Sequence, residues 1–187
     1  MKCELVENRL IVWNISDSKK LFNNGYFGKP IGISKPKSDE IDTPLILDLI
    51  EAYYLMLKSK IEIFENKKKI TKKRMLKICQ EQHYNFEKKF QVYNDFREKG
   101  YIVNPGLKFG CDFAVYRKGP NALLGNGERE HAPWLVQVYD RNEKINSTKI
   151  VLTGRLAASV KKQFILAIPS TKNKVDYVSL ERMKVSF

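Results

Sequence analysis

Three side chains in the C-terminal half of this 187-residue chain are of types that move protons or meet developing charge: Tyr116, His131 and one lysine of the pair Lys161-Lys162. A phenol and an imidazole donate and accept protons in general acid–base catalysis, the imidazole with an unperturbed pKa of about 6.5. An ammonium meets negative charge as it builds up. The intervals are 15 residues from Tyr116 to His131 and 31 from His131 to Lys162, so the three come from separate elements and only the fold can bring them together. Geometry is the test of such a set. At the level of residue types the ordinary readings stay open beside it: a strand tyrosine packs, a solitary histidine is a polar surface group, and a lysine pair is solvated.

Other chemistries lack their residues. There is no glycine loop to cradle a phosphate, no paired Cys/His spacing and no nucleophile elbow. Asp112 could supply one ligand of a metal-dependent nuclease, but the following strand reads LVQVY, with Gln137 where an acid-x-Lys pattern is needed. No metal site and no cofactor are expected. Cys3, Cys79 and Cys111 are too widely spaced for a disulfide framework or a zinc site, which points to a reducing cytosol.

Charge supplies the partner class. The chain carries 34 Lys+Arg against 21 Asp+Glu, a net charge of +13, which favours a polyanion and, in the absence of a long basic amphipathic helix, nucleic acid before membrane. The excess is spread, 20 basic against 14 acidic residues over 1–100 and 14 against 7 over 101–187. A hydrophobic fraction of 43% excludes a disordered chain. No apolar run approaches the roughly 18 residues of a membrane span, and the N-terminus has no signal-peptide core. A cytoplasmic globular protein is expected.

The elements that must position the candidates follow from periodicity. ELVENRLIVWN reads as a hairpin with Val6, Leu10, Val12 and Trp13 on its apolar side. Ser16-Asp17-Ser18 caps a short helix, and GYFGKPIGISKPKSDEIDTP is an irregular loop. Thr43-Pro44 opens a helix through Leu45, Leu49, Ala52, Tyr53 and Leu57. IEIFENKKKIT reads as a second hairpin around Asn66-Lys67. A helical stretch from Thr71 to Lys99 breaks near His83 and ends at Gly100. Beyond it YIVNPGLKFGCDFAVYRKG, PWLVQVYDR, KIVLTG and DYVSLERMKVSF read as strands, and LAASVKKQFILAI as a buried helix. The fold class expected is mixed α/β (α+β), with a small N-terminal α/β domain over 1–95 and a second domain over 96–187.

Three runs, YNDFREKGYIVNPGLKFGCDFAVYRKGP, REHAPWLVQV and GRLAASVKKQFILAI, closely resemble the catalytic domain of the archaeal tRNA-intron (splicing) endonucleases. They stand in that family's order, and each surrounds one member of its catalytic triad. The resemblance implies a C-terminal catalytic endonuclease domain with a central mixed sheet flanked by helices. It implies Tyr116 as general base on a ribose 2′-OH or as a group that orients that hydroxyl, His131 as the acid that protonates the departing 5′ oxygen, and Lys162, with Lys161 as the alternative, against the charge of the phosphorane. The products would be a 2′,3′-cyclic phosphate and a 5′-OH. The nucleophile is tethered beside the phosphorus, so neither metal nor activated water is required. The substrate implied is precursor tRNA with a bulge-helix-bulge splice site. Arg155 matches an arginine that clamps a bulged base, Tyr177 falls near the second clamp position, and Lys161 occupies a neighbouring basic position.

Two loops and the assembly complete the expectation. NALLGNGE, between Pro120 and Arg129, is longer than the family's connection and reads as an extended surface loop. Lys35 and Lys37, in GISKPKSDEID, resemble a lysine-bearing loop that broadens substrate range in some members. The family assembles four such folds, so a homotetramer or a heterotetramer with a structural paralogue is implied. Asp140 and Glu143 would dock into a neighbouring subunit, although Arg141 and Lys144 balance their charge, and VSLERMKVSF would offer an edge strand for dimer pairing. Two other readings stand beside this one: a non-catalytic RNA-binding subunit, and a metal-dependent nuclease on a related fold.

Overall fold

The computed structural model describes residues 1–33, 41–118, 131–170 and 174–181. The expectations for Lys35, Lys37, the 121–128 loop and the chain from 182 onward lie outside the described residues. The chain forms two compact units, Met1–Phe86 and Glu87–Phe187, each a mixed α/β layer structure with its own sheet.

In the first unit, β1 (Lys2–Val6), β2 (Arg9–Val12), α1 (Ile15–Asn23), β3 (Lys29–Pro30), β4 (Leu45–Leu47), α2 (Leu49–Leu57), β5 (Glu62–Glu65), β6 (Lys68–Lys69) and α3 (Lys72–Gln82) follow in order. The sheet runs β3-β4-β2-β1-β5-β6, with β1 and β5 parallel. Both expected hairpins form. Glu7-Asn8 and Asn66-Lys67 turn them with all four φ angles positive, the conformation of a two-residue hairpin loop. The buried face of the first hairpin is Cys3, Leu5, Leu10 and Val12. Val6 and Trp13, expected on that face, are exposed, and the Trp13 indole donates to Glu4 instead.

Three sequence expectations are corrected here. Helix α1 is capped by Asn14, whose side chain accepts from the Asp17 amide at 2.9 Å, and not by the serines after it. The expected loop contains β3, paired with β4. Thr43-Pro44 does not start a helix: Leu45–Leu47 is strand, and α2 begins after Asp48 in a capping box with Glu51. That reciprocal box satisfies two amides at once, which a lone Thr-Pro cannot do.

The second unit comprises α4 (Phe86–Glu98), β7 (Tyr101–Pro105), a 3₁₀ turn at Leu107–Phe109, β8 (Phe113–Lys118), β9 (Trp134–Val138), α5 (Ser147–Ser159), β10 (Gln163–Pro169) and β11 (Val175–Leu180). The break near His83 and the stop at Gly100, φ 84°, are where the sequence puts them. The unit boundary falls upstream of residue 95 because α4 packs on the second sheet: its Val92, Tyr93 and Phe96 are buried, and the Tyr93 ring lies 6.0 Å from that of Phe113. The sheet runs β11-β10-β9-β8-β7, antiparallel except for β9 and β10. KIVLTG is helical, not a strand. LAASVKKQFILAI is not one helix: it divides into the end of α5, a turn and β10. Asn146 caps α5 through the Lys149 amide, and the helix makes the crossover that parallel β9 and β10 require.

One largely covered carboxylate ties these elements together. Asp112, its side chain 9% exposed, accepts from Lys89 of α4 at 2.8 Å, from the Gln137 side chain at 2.6 Å and from the Val138 amide at 2.8 Å. Replacing it strands a cation and two N–H donors. We expect Asp112→Ala to lower the stability of the second unit by about 3 kcal/mol in urea unfolding, and Asp112→Asn to lower it less.

Candidate active site

Strand register brings the three sequence candidates to one end of the second sheet. Val115 of β8 stands opposite Trp134 of β9, and Trp134 stands opposite Gln163 of β10. Because β8 runs antiparallel to β9 while β10 runs parallel to it, the end of β8 and the starts of β9 and β10 share one edge. Tyr116 follows Val115, His131 lies three residues before Trp134, and Lys162 immediately precedes Gln163. Trp134 and Gln163 hold the two starts together through an indole–amide hydrogen bond of 3.0 Å, and the Gln163 amide donates to the Pro133 carbonyl at 2.9 Å.

Tyr116 and Lys162 both reach one apolar cluster. Ala114, Ala132, Leu135, Ala157 and Phe164 are buried together, and Tyr116 and Phe109 pack against them. The Lys162 ammonium donates to the Ala132 carbonyl at 2.5 Å and lies 5.4 Å from the centre of the Phe109 ring. His131, next to Ala132, is exposed, so the imidazole is open to an incoming molecule.

The backbone at Lys162 is fixed by the end of α5. The Lys161 amide donates to Ala158 and the Lys162 amide to Ala157, at 3.2 and 2.8 Å. This pair of bonds closes a helix with a left-handed residue at the first position past the cap. Lys161 holds that position with φ 55°, where glycine is the relaxed choice. Lys161 is thus exposed in the turn while Lys162 is half-buried and aimed at the cluster.

Residue typing alone missed Lys108 and Phe109. Both belong to the 3₁₀ turn between two glycines. A Cβ on Gly106 would meet the Cys111 Sγ at 2.5 Å and the Cys111 carbonyl at 2.7 Å, and Gly110 has φ 66°. The glycines flanking LKF were the available signal for a loop of fixed shape. The Lys108 ammonium lies 5.8 Å from the same Phe109 ring that Lys162 approaches. Among the described residues neither lysine has a carboxylate partner. Burial first, then the charge of Lys108, pulls the Lys162 pKa below the ordinary lysine value.

The remaining candidates lie elsewhere. Arg155 is exposed on α5. Tyr177 of β11 pairs with Ala167 toward the opposite end of β10; its ring packs on Phe96 and its hydroxyl donates to Asp95 at 2.5 Å. Burial, then the hydrogen bond and charge of Asp95, raise its pKa, so it stays neutral. Asp140 is ion-paired with Lys88, and the Glu143 carboxylate accepts from the Asp140 amide at 3.4 Å. Cys3, Cys79 and Cys111 are buried free thiols, raised by burial to about 12, 12 and 11. Among the described residues no three His, Cys, Asp or Glu side chains gather as metal ligands would, and no helix is long and apolar enough to cross a membrane.

Comparison with known proteins agrees with this two-unit plan. Residues 1–76 match the tRNA intron endonuclease N-terminal domain, and residues 86–177 match the tRNA intron endonuclease catalytic C-terminal domain. The chain belongs to the tRNA intron endonuclease family. It is 43% identical to a tRNA-splicing endonuclease of Sulfurisphaera tokodaii over 97% of this chain and 98% of that protein. A Saccharolobus solfataricus tRNA-splicing endonuclease is 38% identical over 99% of this chain and 100% of its own length. One of Sulfolobus acidocaldarius is 37% identical over 97% and 98%. The match to the family's catalytic domain spans the strands that bring Tyr116, His131 and Lys162 to one edge.

Folding lowers the Lys162 pKa, so the unfolded chain holds that proton more tightly. The residue's contribution to stability therefore rises as pH climbs from the lowered value toward the ordinary one of about 10.4. A carbon-13 NMR titration of lysine side chains should find Lys162 below that value. Lys108→Gln should move it up only part of the way, because burial is the larger cause.

Proposed function

We propose that this chain is the catalytic subunit of a tRNA-intron endonuclease, cleaving precursor tRNA at the intron boundaries of a bulge-helix-bulge splice site. The observation that carries the proposal is the shared sheet edge, where a phenol and a half-buried ammonium reach one apolar cluster and an exposed imidazole adjoins its Ala132 in the chain. The family supports the substrate class.

The ribose 2′-oxygen adjoining the scissile phosphate forms the new bond to phosphorus, and the bond from phosphorus to the 5′ oxygen breaks. Tyr116 takes the 2′-OH proton. His131 gives a proton to the leaving 5′ oxygen. Proton exchange with water then resets both groups. The ammonium of Lys162 meets the charge that builds on the non-bridging oxygens, with Lys108 as a second cation beside it. Tethering supplies the proximity, so the reaction needs neither metal nor activated water. Arg155 and Lys161 offer exposed cations to the RNA. The chain works within a tetramer of such folds.

The decisive assay is cleavage of an intron-containing precursor tRNA by the purified chain in excess chelator, with end-group analysis. Cuts at both boundaries leaving cyclic phosphate and 5′-OH are expected, and loss of cleavage in chelator refutes the proposed chemistry. Success with the chain alone identifies a homo-oligomer, and a requirement for an added paralogue identifies a hetero-oligomer. His131→Ala should slow cleavage about 10²–10⁴-fold with RNA binding intact, and Lys162→Ala about 10²–10³-fold. Full activity in Tyr116→Phe would remove that residue from the mechanism. Lys161→Gly should slow cleavage far less than Lys162→Ala, which separates the two lysines.

A further inference from the structure

The first unit contains a charge concentration that the proposed chemistry does not use. It carries 16 basic and 11 acidic residues, and 6 of the 16 lie between Lys67 and Arg74, where no residue is acidic. Without that run the unit would be balanced, 10 against 11. The run forms the turn and second strand of the β5–β6 hairpin and the first turn of α3, and Lys69 and Lys72 border one open cleft between them.

Two of the placements oppose the local physics. Lys67 sits at the second position of the hairpin turn with φ 64°, where glycine is strongly preferred. The first turn of α3 holds Lys72, Lys73 and Arg74 and no acid, although the positive end of a helix dipole favours acids there. An ion-pair surface would explain the cations only if carboxylates answered them. Lys69 pairs with Glu62, and Arg74 approaches Glu65 at 4.0 Å. Lys67, Lys72 and Lys73 are exposed with no ion-pair partner among the described residues, and Lys68, exposed opposite Glu65 across the hairpin, makes no ion pair with it. Residues that break local rules without a compensating contact in the fold mark a function kept at the expense of stability.

We propose that Lys67, Lys68, Lys72 and Lys73 form a docking surface on the first unit for the phosphate backbone of the RNA. The identity of the polyanion rests on the function proposed above. The contacts are to phosphates, so they raise affinity and add salt dependence without reading sequence.

The test is the variant Lys67→Gly/Lys72→Glu/Lys73→Glu in the full chain. It relaxes the turn and reverses charge where the helix prefers acids. Thermal unfolding should rise by about 2–6 °C. Binding is measured on precursor tRNA carrying 2′-deoxyribose at the cleavage positions, so that chemistry cannot disturb it. Affinity at 0.1 M KCl should fall at least about ten-fold, and the slope of log affinity against log salt should flatten by about 2–3, the share of three lost phosphate contacts. Unchanged affinity and slope overturn the docking surface, and a lower melting temperature overturns the argument from misplaced charge. Cleavage of the all-ribose precursor by the wild-type chain is scored separately. If it fails both alone and with an added paralogue while the slopes differ, the proposed activity falls and the RNA surface stands.

Discussion

The second unit depends on the burial of one carboxylate. Asp112 has both oxygens committed, one to Lys89 and the other to Gln137 and the Val138 amide. A charge removed from water in this way is tolerated only with complete hydrogen bonding and an opposite charge. The three partners come from α4 and β9, while Asp112 itself stands at the entrance to β8. The carboxylate therefore pins β8 against β9 in one register. A slip by one residue would turn every side chain of β8 to the opposite face and carry Tyr116 off the cluster it shares with Phe109. The acid that resembles a metal ligand in the sequence is thus an architectural group.

Local backbone geometry fixes Lys108, Phe109 and Lys162 of the candidate site in the same way. Two glycines shape the turn that presents Lys108 and Phe109, and the paired bonds at the end of α5 set Lys162 at the entrance to β10. Lys161 holds the strained position between them. The result is two ammonium groups around one aromatic ring, one of them desolvated, with no carboxylate partner among the described residues. Such a pair repels itself when empty and is relieved by an anion. Transition-state stabilisation asks for this arrangement: dipoles and charges held in place before the negative charge appears.

Much of this was legible in the sequence, and what was not has identifiable causes. The hairpin at Asn66-Lys67, the helix break at His83 and the stop at Gly100 are local decisions, and local residues announce them. Thr43-Pro44 misled because a good cap lost to a better one five residues later, where Asp48 and Glu51 satisfy each other's amides. LAASVKKQFILAI was read as one helix because its apolar density is continuous across the turn. Only the paired amide bonds to Ala157 and Ala158 divide it, and a non-glycine residue at the left-handed position hides that division. Val6 and Trp13 were assigned to the core by hydrophobicity, but the register that faces Cys3 and Leu5 inward leaves them in solvent. The candidate triad came from motif resemblance. The shared sheet edge came from strand pairing, which no single segment encodes.

Lysine density also has different meanings in the two units, and net charge conceals the difference. In the second unit the cations at the cluster are few, and Lys162 among them is half-buried, so its charge is strong and tied to a position. In the first unit they are exposed and numerous, each screened by water and salt, so only their number gives them effect. A partly desolvated cation can distinguish a transition state from a ground state because small displacements of charge change its energy steeply. A solvated patch has no such resolution, but it attracts any backbone phosphate in reach and tolerates variation in RNA sequence. Tight positioning at the bond to be broken and loose attraction along the rest of the RNA are complementary demands. Under the proposed function, the fold would meet them with the same side chain placed in two dielectric environments.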